Sequence, residues 1–237
     1  MSDFDNGLES YLDNHYIHKS NWLRAAVLGA NDGILSTASI AIGVAAASMS
    51  RQPIVLAALA GLVAGALSMA AGEYVSVSSQ TDLEKADIER EKKELEETPE
   101  IELIRLAQIY EKRGLKKETA QEVAQQLTQK NALEAHLKDE LGISESNQAN
   151  PIQAALASGA AFTSGGILPM LITVLFPVAS MQYYLYGFSI LSLAILGAVA
   201  AKTGGSSIKK AVIRITLWGT AAMVMTAFVG YLFGVNV

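Results

Sequence analysis

The chain has 237 residues, 51% of them hydrophobic and only 17% charged, against the roughly 25% charged expected of a soluble domain. That balance excludes an ordinary soluble domain and points to a membrane protein. There is no cysteine, which excludes a disulfide framework and a thiolate metal site, so any metal must be held by oxygen, nitrogen or thioether.

The net charge of −5 conceals a sharp partition, since 17 of the 23 acids and 11 of the 18 bases lie between Gln80 and Asn150. A polar block is therefore inserted between apolar ones. Residues 1–18 carry Asp3, Asp5, Glu9 and Asp13 and no lysine or arginine, unlike the basic start of a signal peptide, so residues 1–21 are expected to be an exposed tail. Leu23 to Met49 and Ile54 to Ser79 each exceed the ~20 residues that cross a bilayer, with Arg51, Gln52 and Pro53 turning between them. Ile152 to Ala201 is free of formal charge and is interrupted at Pro177 to Gln182, which predicts two spans, near 152–176 and 183–201. Ala211 to Val237 supplies a fifth.

The bases set the predicted orientation. Lys19 and Arg24 precede the first span, the polar block carries its own bases, and Lys202, Lys209, Lys210 and Arg214 stand between the fourth and fifth, whereas the opposite side holds Arg51 alone. The N-terminus and the block at 80–150 are thus expected in the cytoplasm and the C-terminus outside.

The string Gly29 to Gly33 (GANDG) places a carboxylate, Asp32, inside the first span. A charge at the centre of a bilayer costs at least ~2.5–3.5 kcal/mol on insertion scales, so it marks a candidate substrate or proton site. The alternative is an aspartate capping a broken helix between two glycines. Asp32 lies ten residues past Trp22 and Met69 ten before Ser79, which predicts similar depths, with Glu73 one turn closer to the cytoplasm on the same face as Met69. Thioether suits softer transition metals better than magnesium or calcium. Gly61 and Gly65 form a GxxxG pair flanked by Ala60, Ala64, Ser68 and Gly72, a small-residue face for close packing within one subunit or between two. Ser164, Gly165, Gly166 and Pro169 predict a kink or local unwinding in the third span.

The polar block reads as helical. Nothing breaks the pattern from Pro53 to Glu97, so the second span continues as one long helix. Thr98 and Pro99 end it and start another, closed by Gly114; a third covers about Lys116 to Gln129 and a short fourth Asn131 to Leu141, with Gly142 beyond. Leu103, Leu106, Ala107 and Tyr110 would pack on Val123, Ala124 and Leu127. Glu84, Asp87, Glu91 and Glu94 form one acidic stripe with only Arg90 placed to offset it, while Lys85–Glu89, Glu89–Lys93 and Lys92–Glu96 are expected pairs elsewhere. The stripe is either a solvated face or part of an oxygen-ligand cation site completed by Glu102 and by Glu134, His136 or Glu140.

Four strings in this order, HKSNWLRAAVLGANDGILSTASIAIGVAAA, AGLVAGALSMAAGEYVSVSSQTDLE, HLKDELGI after a Glu-rich insert, and NPIQAALASGAAF, resemble the vacuolar iron transporter family in its prokaryotic form. The resemblance implies an all-α polytopic membrane protein with five transmembrane helices and a cytoplasmic helical metal-binding domain inserted between helices two and three. It implies a homodimer, in the cell membrane if the source is a prokaryote, that is not an enzyme and has no prosthetic group. The resemblance further implies exchange of cytoplasmic Fe2+, and often Mn2+ or similar ions such as Co2+ or Zn2+, for protons. No nucleic-acid partner is expected. The resemblance assigns the membrane path to Asp32 and Met69, and cytoplasmic metal binding to Glu91, Glu94, Glu102 and Glu140. Some relatives carry a carboxylate where Gly61 stands, so either Glu73 takes part of that role or the path is simpler. A further glutamate of the plant pattern falls on Arg105, and a methionine falls on His136, which is either a ligand, because imidazole suits Fe2+ and Zn2+, or an ordinary surface histidine on a short helix. The competing classes are a metal sensor and an iron-storage or oxidase protein. The second needs Glu-x-x-His motifs on facing helices, but Leu133 stands three before His136.

Overall fold

Apolar runs of this length can satisfy their backbone groups in hydrocarbon only as helices or closed barrels, and alanine, leucine and methionine favour the helix. A computed structural model describes residues 20–143 and 150–234; the expected N-terminal tail lies almost wholly outside the described residues. Among the described residues there are seven α-helices and no strand: α1 Ser20–Ala47, α2 Arg51–Glu97, α3 Pro99–Lys112, α4 Lys117–Asp139, α5 Pro151–Leu175, α6 Met181–Thr203 and α7 Ile208–Gly234. Five are long and apolar enough to cross a membrane, in α1, α2, α5, α6 and α7. A short 3-10 turn, Val178–Ser180, separates α5 from α6 where Pro177 interrupts the apolar run. The chain divides into two compact units, one running up to Glu73 and again from Gln153, the other Tyr74–Ile152.

In the first unit α1 is the central helix. Half of its apolar window is buried, against 11% for α7, and Ala38, Ala41, Ile42 and Ala45 join Ile54, Ala58, Ile172, Met181, Leu185 and Met223 in one core. Small residues bring the backbones together. A Cβ on Gly33 would overlap the Phe162 carbonyl and come within 2.9 Å of the Gly166 amide on α5, and one on Gly230 of α7 would overlap the Gly43 carbonyl. α1 is continuous across Gly29 to Gly33, so Asp32 does not cap a broken helix. α5 likewise runs unbroken through Gly165, Gly166 and Pro169, without the local unwinding expected there; those glycines instead admit Ala30, Thr37 and Leu62.

The GxxxG pair of α2 is used inside the subunit. A Cβ on Gly61 would meet Cδ1 of Ile40 at 2.6 Å, and one on Gly65 would strike the Phe162 ring. Gly33→Ala must push backbone against backbone and is expected to cost about 1–3 kcal/mol, whereas Gly61→Ala displaces only a flexible methyl and costs under about 1 kcal/mol. Thermal unfolding of both variants in detergent checks the order; equal midpoints would contradict it.

Arg51 has a structural role that the charge count does not reveal. Its guanidinium donates to the carbonyls of Thr173 at 3.1 Å, of Phe176 at 2.8 Å and of Val174. These are acceptors at the end of α5, where a cation also complements the helix dipole.

In the second unit, α2 continues as a single 47-residue helix, about 70 Å long at 1.5 Å per residue. Pro99 opens α3, and Gly114, at φ +101°, closes it. Non-helical backbone at Asn131 breaks α4 at the predicted boundary. Asn131 Oδ1 accepts from the Glu134 amide at 3.2 Å while its Nδ2 donates to the Glu134 carboxylate at 3.2 Å. Glu134 is thereby spent on this cap. Leu106, Ala107, Ala124 and Ala135 form the core, with Leu103, Tyr110 and Leu127 against it.

Candidate metal centre

Three helices of the second unit converge on one cluster. α2 contributes Glu91, α3 contributes Glu102, and the end of α4 contributes His136 and, at its C-cap, Glu140 four residues on. One ligand atom from each of the four lies within 4.8 Å of the others. At ligand bonds of about 2.0–2.2 Å the donor atoms of a tetrahedral site stand about 3.3–3.6 Å apart and those of an octahedral site about 2.8–4.4 Å, so a small inward movement would enclose one ion. The cluster is buried: Glu91 is 1% exposed, Glu102 3% and His136 0%.

The imidazole is the hub. His136 Nδ1 is 2.9 Å from Glu91 Oε1, 3.2 Å from Glu140 Oε2 and 3.8 Å from Glu102 Oε2. The contact with Glu140 is a hydrogen bond. That with Glu91 is close but misaligned, which leaves Glu91 Oε1 buried with no hydrogen-bond partner. A buried carboxylate oxygen without a partner is costly. Burial pushes the Glu91 pKa above the ordinary carboxylate range; His136 opposes this, and Glu140, Glu102 and Glu94 reinforce it. Three carboxylates and an imidazole form a mixed oxygen and nitrogen set that suits Fe2+, Mn2+, Co2+ or Zn2+.

The remaining expected residues are placed differently. Glu94 stands beside the cluster but outside the four, held by Arg105 Nη1 at 3.1 Å and by Arg90 at 3.7 Å. The acidic stripe divides: Arg90 pairs with Asp87 at 3.4 Å, Glu84 accepts from Gln80 at 3.0 Å, and only Glu91 turns inward. On the rest of that helix Lys92 pairs with Glu89 and Lys93 with Glu97, a different set from the one the spacing predicts, because exposed long side chains choose between i+3 and i+4 partners of nearly equal energy. In the first unit Asp32 is exposed on the single chain and accepts from Ser36 Oγ at 3.0 Å, while Met69 and Glu73 are half-buried. Among the described residues, none of these three belongs to a cluster of three or more carboxylate or imidazole groups.

A clamp that spacing alone does not reveal holds α4 in position. Asp139, between the two ligands of that helix, accepts from Tyr110 Oη at 2.6 Å and from Arg113 Nη1 at 2.7 Å. Burial raises the Asp139 pKa, but the hydrogen bonds from Tyr110 and Arg113 and the charges of Arg113 and Lys138 outweigh it and hold the group below its ordinary range. Asp139→Asn is expected to destabilise the chain by about 1.5–3 kcal/mol at neutral pH, the range for hydrogen bonds to a charged group. A lowered carboxylate pKa contributes stability above the ordinary value and loses it as pH falls through the lowered one, so the gap between variant and parent should close in acid. Thermal melts across pH check both; a gap independent of pH would contradict the charged clamp.

The model of the VIT family matches residues 23–231. The vacuolar iron transporter of Acanthamoeba castellanii (strain ATCC 30010 / Neff) is 46% identical over 224 residues, covering 91% of this chain and 82% of that protein. Vacuolar iron transporter homolog 1 of Oryza sativa subsp. japonica is 34% identical, over 94% of this chain and 78% of that protein. Homolog 4 of Arabidopsis thaliana is 32% identical, over 94% and 89%. These relatives come from an amoeba and two plants and lend no support to a specifically prokaryotic form. With five apolar spanning helices and a family match running through nearly all of them and through the helical unit that holds the cluster, the chain belongs to the VIT family.

Proposed function

We propose that this integral membrane protein moves Fe2+, and related ions such as Mn2+, Co2+ and Zn2+, out of the cytoplasm in exchange for protons. VIT family members are transporters, not enzymes, and the metal is their cargo rather than a prosthetic group. The observation that carries the reading is the convergence of Glu91, Glu102, His136 and Glu140 within 4.8 Å on a chain with five candidate spans. In this reading the helical unit lies in the cytoplasm, collects the ion and neutralises its charge; Glu73, Met69 and Asp32 then replace its water within the bilayer. Protons compete for the same carboxylate lone pairs, which supplies the exchange.

The reading includes a homodimer. Asp32 is exposed on the single chain, and a carboxylate facing lipid is unfavourable. Ala60, Ala64, Ser68 and Gly72 on α2 are exposed too, while their neighbours Gly61 and Gly65 are occupied inside the subunit. A second copy placed against this face would enclose the path between subunits.

A competition uptake assay in reconstituted vesicles tests the cargo. Unlabelled Mn2+, Co2+ and Zn2+ should each reduce Fe2+ uptake, whereas Mg2+ and Ca2+ should not, given the thioether and imidazole donors. Inhibition by Mg2+ equal to that by Mn2+ would contradict the proposed ligand set.

A further inference from the structure

The four-residue cluster has a cation of its own. Arg105 lies one turn beyond Glu102 on α3. Its Nη1 donates to Glu94 Oε2 at 3.1 Å and to both oxygens of Glu102 at 3.2 Å, and its Nε lies 3.3 Å from Glu140 Oε1. One guanidinium thus ties together α2, α3 and α4. Its own side chain is 46% exposed, whereas those of the carboxylates and imidazole beneath it are 0–22% exposed. It therefore stands between the buried donors and solvent.

Two of the three acids that Arg105 holds, Glu102 and Glu140, belong to the four that would ligate metal. An oxygen that satisfies a guanidinium hydrogen bond presents a weaker lone pair to an incoming ion, and a divalent cation beside a fixed positive charge in a poorly solvated site is repelled. Glu91 Oε1 is the exception, buried without a hydrogen-bond partner and 2.9 Å from His136 Nδ1. The arrangement offers an ion one carboxylate oxygen that is ready, two carboxylates engaged by Arg105, and an imidazole nitrogen bonded to Glu140.

We propose that Arg105 is a built-in competitor for the metal, a guanidinium that covers the cluster and must release Glu102 and Glu140 before a divalent cation can be fully ligated. Because Arg105 also holds Glu94, its release exchanges a three-helix ion-pair bridge for a metal bridge joining the same helices. Metal loading would in this way alter how α2, α3 and α4 are tied to one another. Arg105 acts through the ligands and is not one itself. The inference rests on the four-residue reading above.

The test uses the full chain purified in detergent, with Co2+ alone as the probe. Calorimetric titration should show Arg105→Gln binding Co2+ about tenfold more tightly than the parent, equivalent to about 1.4 kcal/mol. Arg105→Lys, which keeps the charge, should remain within about threefold of the parent. Equal or weaker binding by Arg105→Gln, beside a parent that binds, would overturn the competitor and leave the site standing. Absence of binding in both would overturn the site and this inference together.

A second measurement needs no variant. Co2+ should raise the modification of Arg105 by phenylglyoxal several-fold in the parent, read by mass spectrometry against Arg113, whose partner Asp139 is outside the cluster. Unchanged or reduced modification of Arg105 would overturn the proposal even if the glutamine variant failed to fold.

Discussion

Replacing Asp32 by asparagine is expected to abolish metal-coupled proton movement while leaving the protein folded. The two side chains have nearly the same shape, and the amide oxygen of the variant could still accept from Ser36 Oγ, the contact Asp32 makes at 3.0 Å. What the amide cannot do is hold a negative charge or exchange a proton. The glycines around position 32 also argue that any effect is local, because Gly29 and Gly33 make the close contacts with α5 whereas the Asp32 side chain is exposed. Fe2+ quenching of an entrapped dye and a pH-sensitive dye in the same vesicles would report both fluxes. Parent-like fluxes in Asp32→Asn would remove this residue from the path.

Glutamine at position 91 has two expected effects of opposite sign. Co2+ affinity should fall by about 100-fold or more, since a direct ligand matters at least as much as the outer partners whose loss costs 10–100-fold. In the presence of chelator, however, the thermal midpoint should rise by about 2–4 °C, corresponding to about 1 kcal/mol in a chain of this size. The reason is that Glu91 is 1% exposed and faces Glu102 and Glu140 as well as His136. Folding raises its pKa, so the ionised form costs stability at every pH above the ordinary carboxylate value, and a neutral amide removes that cost. The parent should in turn be stabilised by Co2+ much more than the variant, because a ligand that binds only the folded chain shifts its unfolding by mass action. A lower midpoint in chelator, with an undiminished shift by Co2+, would place Glu91 among the structural ion pairs instead.

Much of the architecture was legible because it depends on local signals. The apolar runs located the five spans, Pro177 the turn between α5 and α6, Pro99 and Gly114 the ends of α3, and Asn131 the break in α4. The continuity of α2 through Glu97 followed from the absence of any breaker. Tertiary choices were not legible in the same way. Helical spacing put Glu84, Asp87, Glu91 and Glu94 on one stripe, but only the packing of α3 and α4 decides that Glu91 alone is buried against His136. The small-residue face of α2 could serve one subunit or two, and the positions of Ile40 and Phe162 assign Gly61 and Gly65 to the first use. Arg51 counted as a topological charge until the carbonyl ends of α5 were found beside it. Arg105 stood three residues from Glu102, a spacing that suggests an ion pair, yet its reach to Glu94 and Glu140 requires all three helices in place.

The proposed function is capture of a divalent ion at Glu91, Glu102, His136 and Glu140 and its exchange for protons across the bilayer. The most direct test imposes a pH gradient, acidic on the side opposite the helical unit, on vesicles containing the parent protein, and follows Fe2+ and protons together. Fe2+ entering from the side of the helical unit should be matched by protons leaving through the same protein, and collapsing the gradient should slow the metal. Fe2+ flux that ignores the gradient, or proton flux that ignores the metal, would contradict the account.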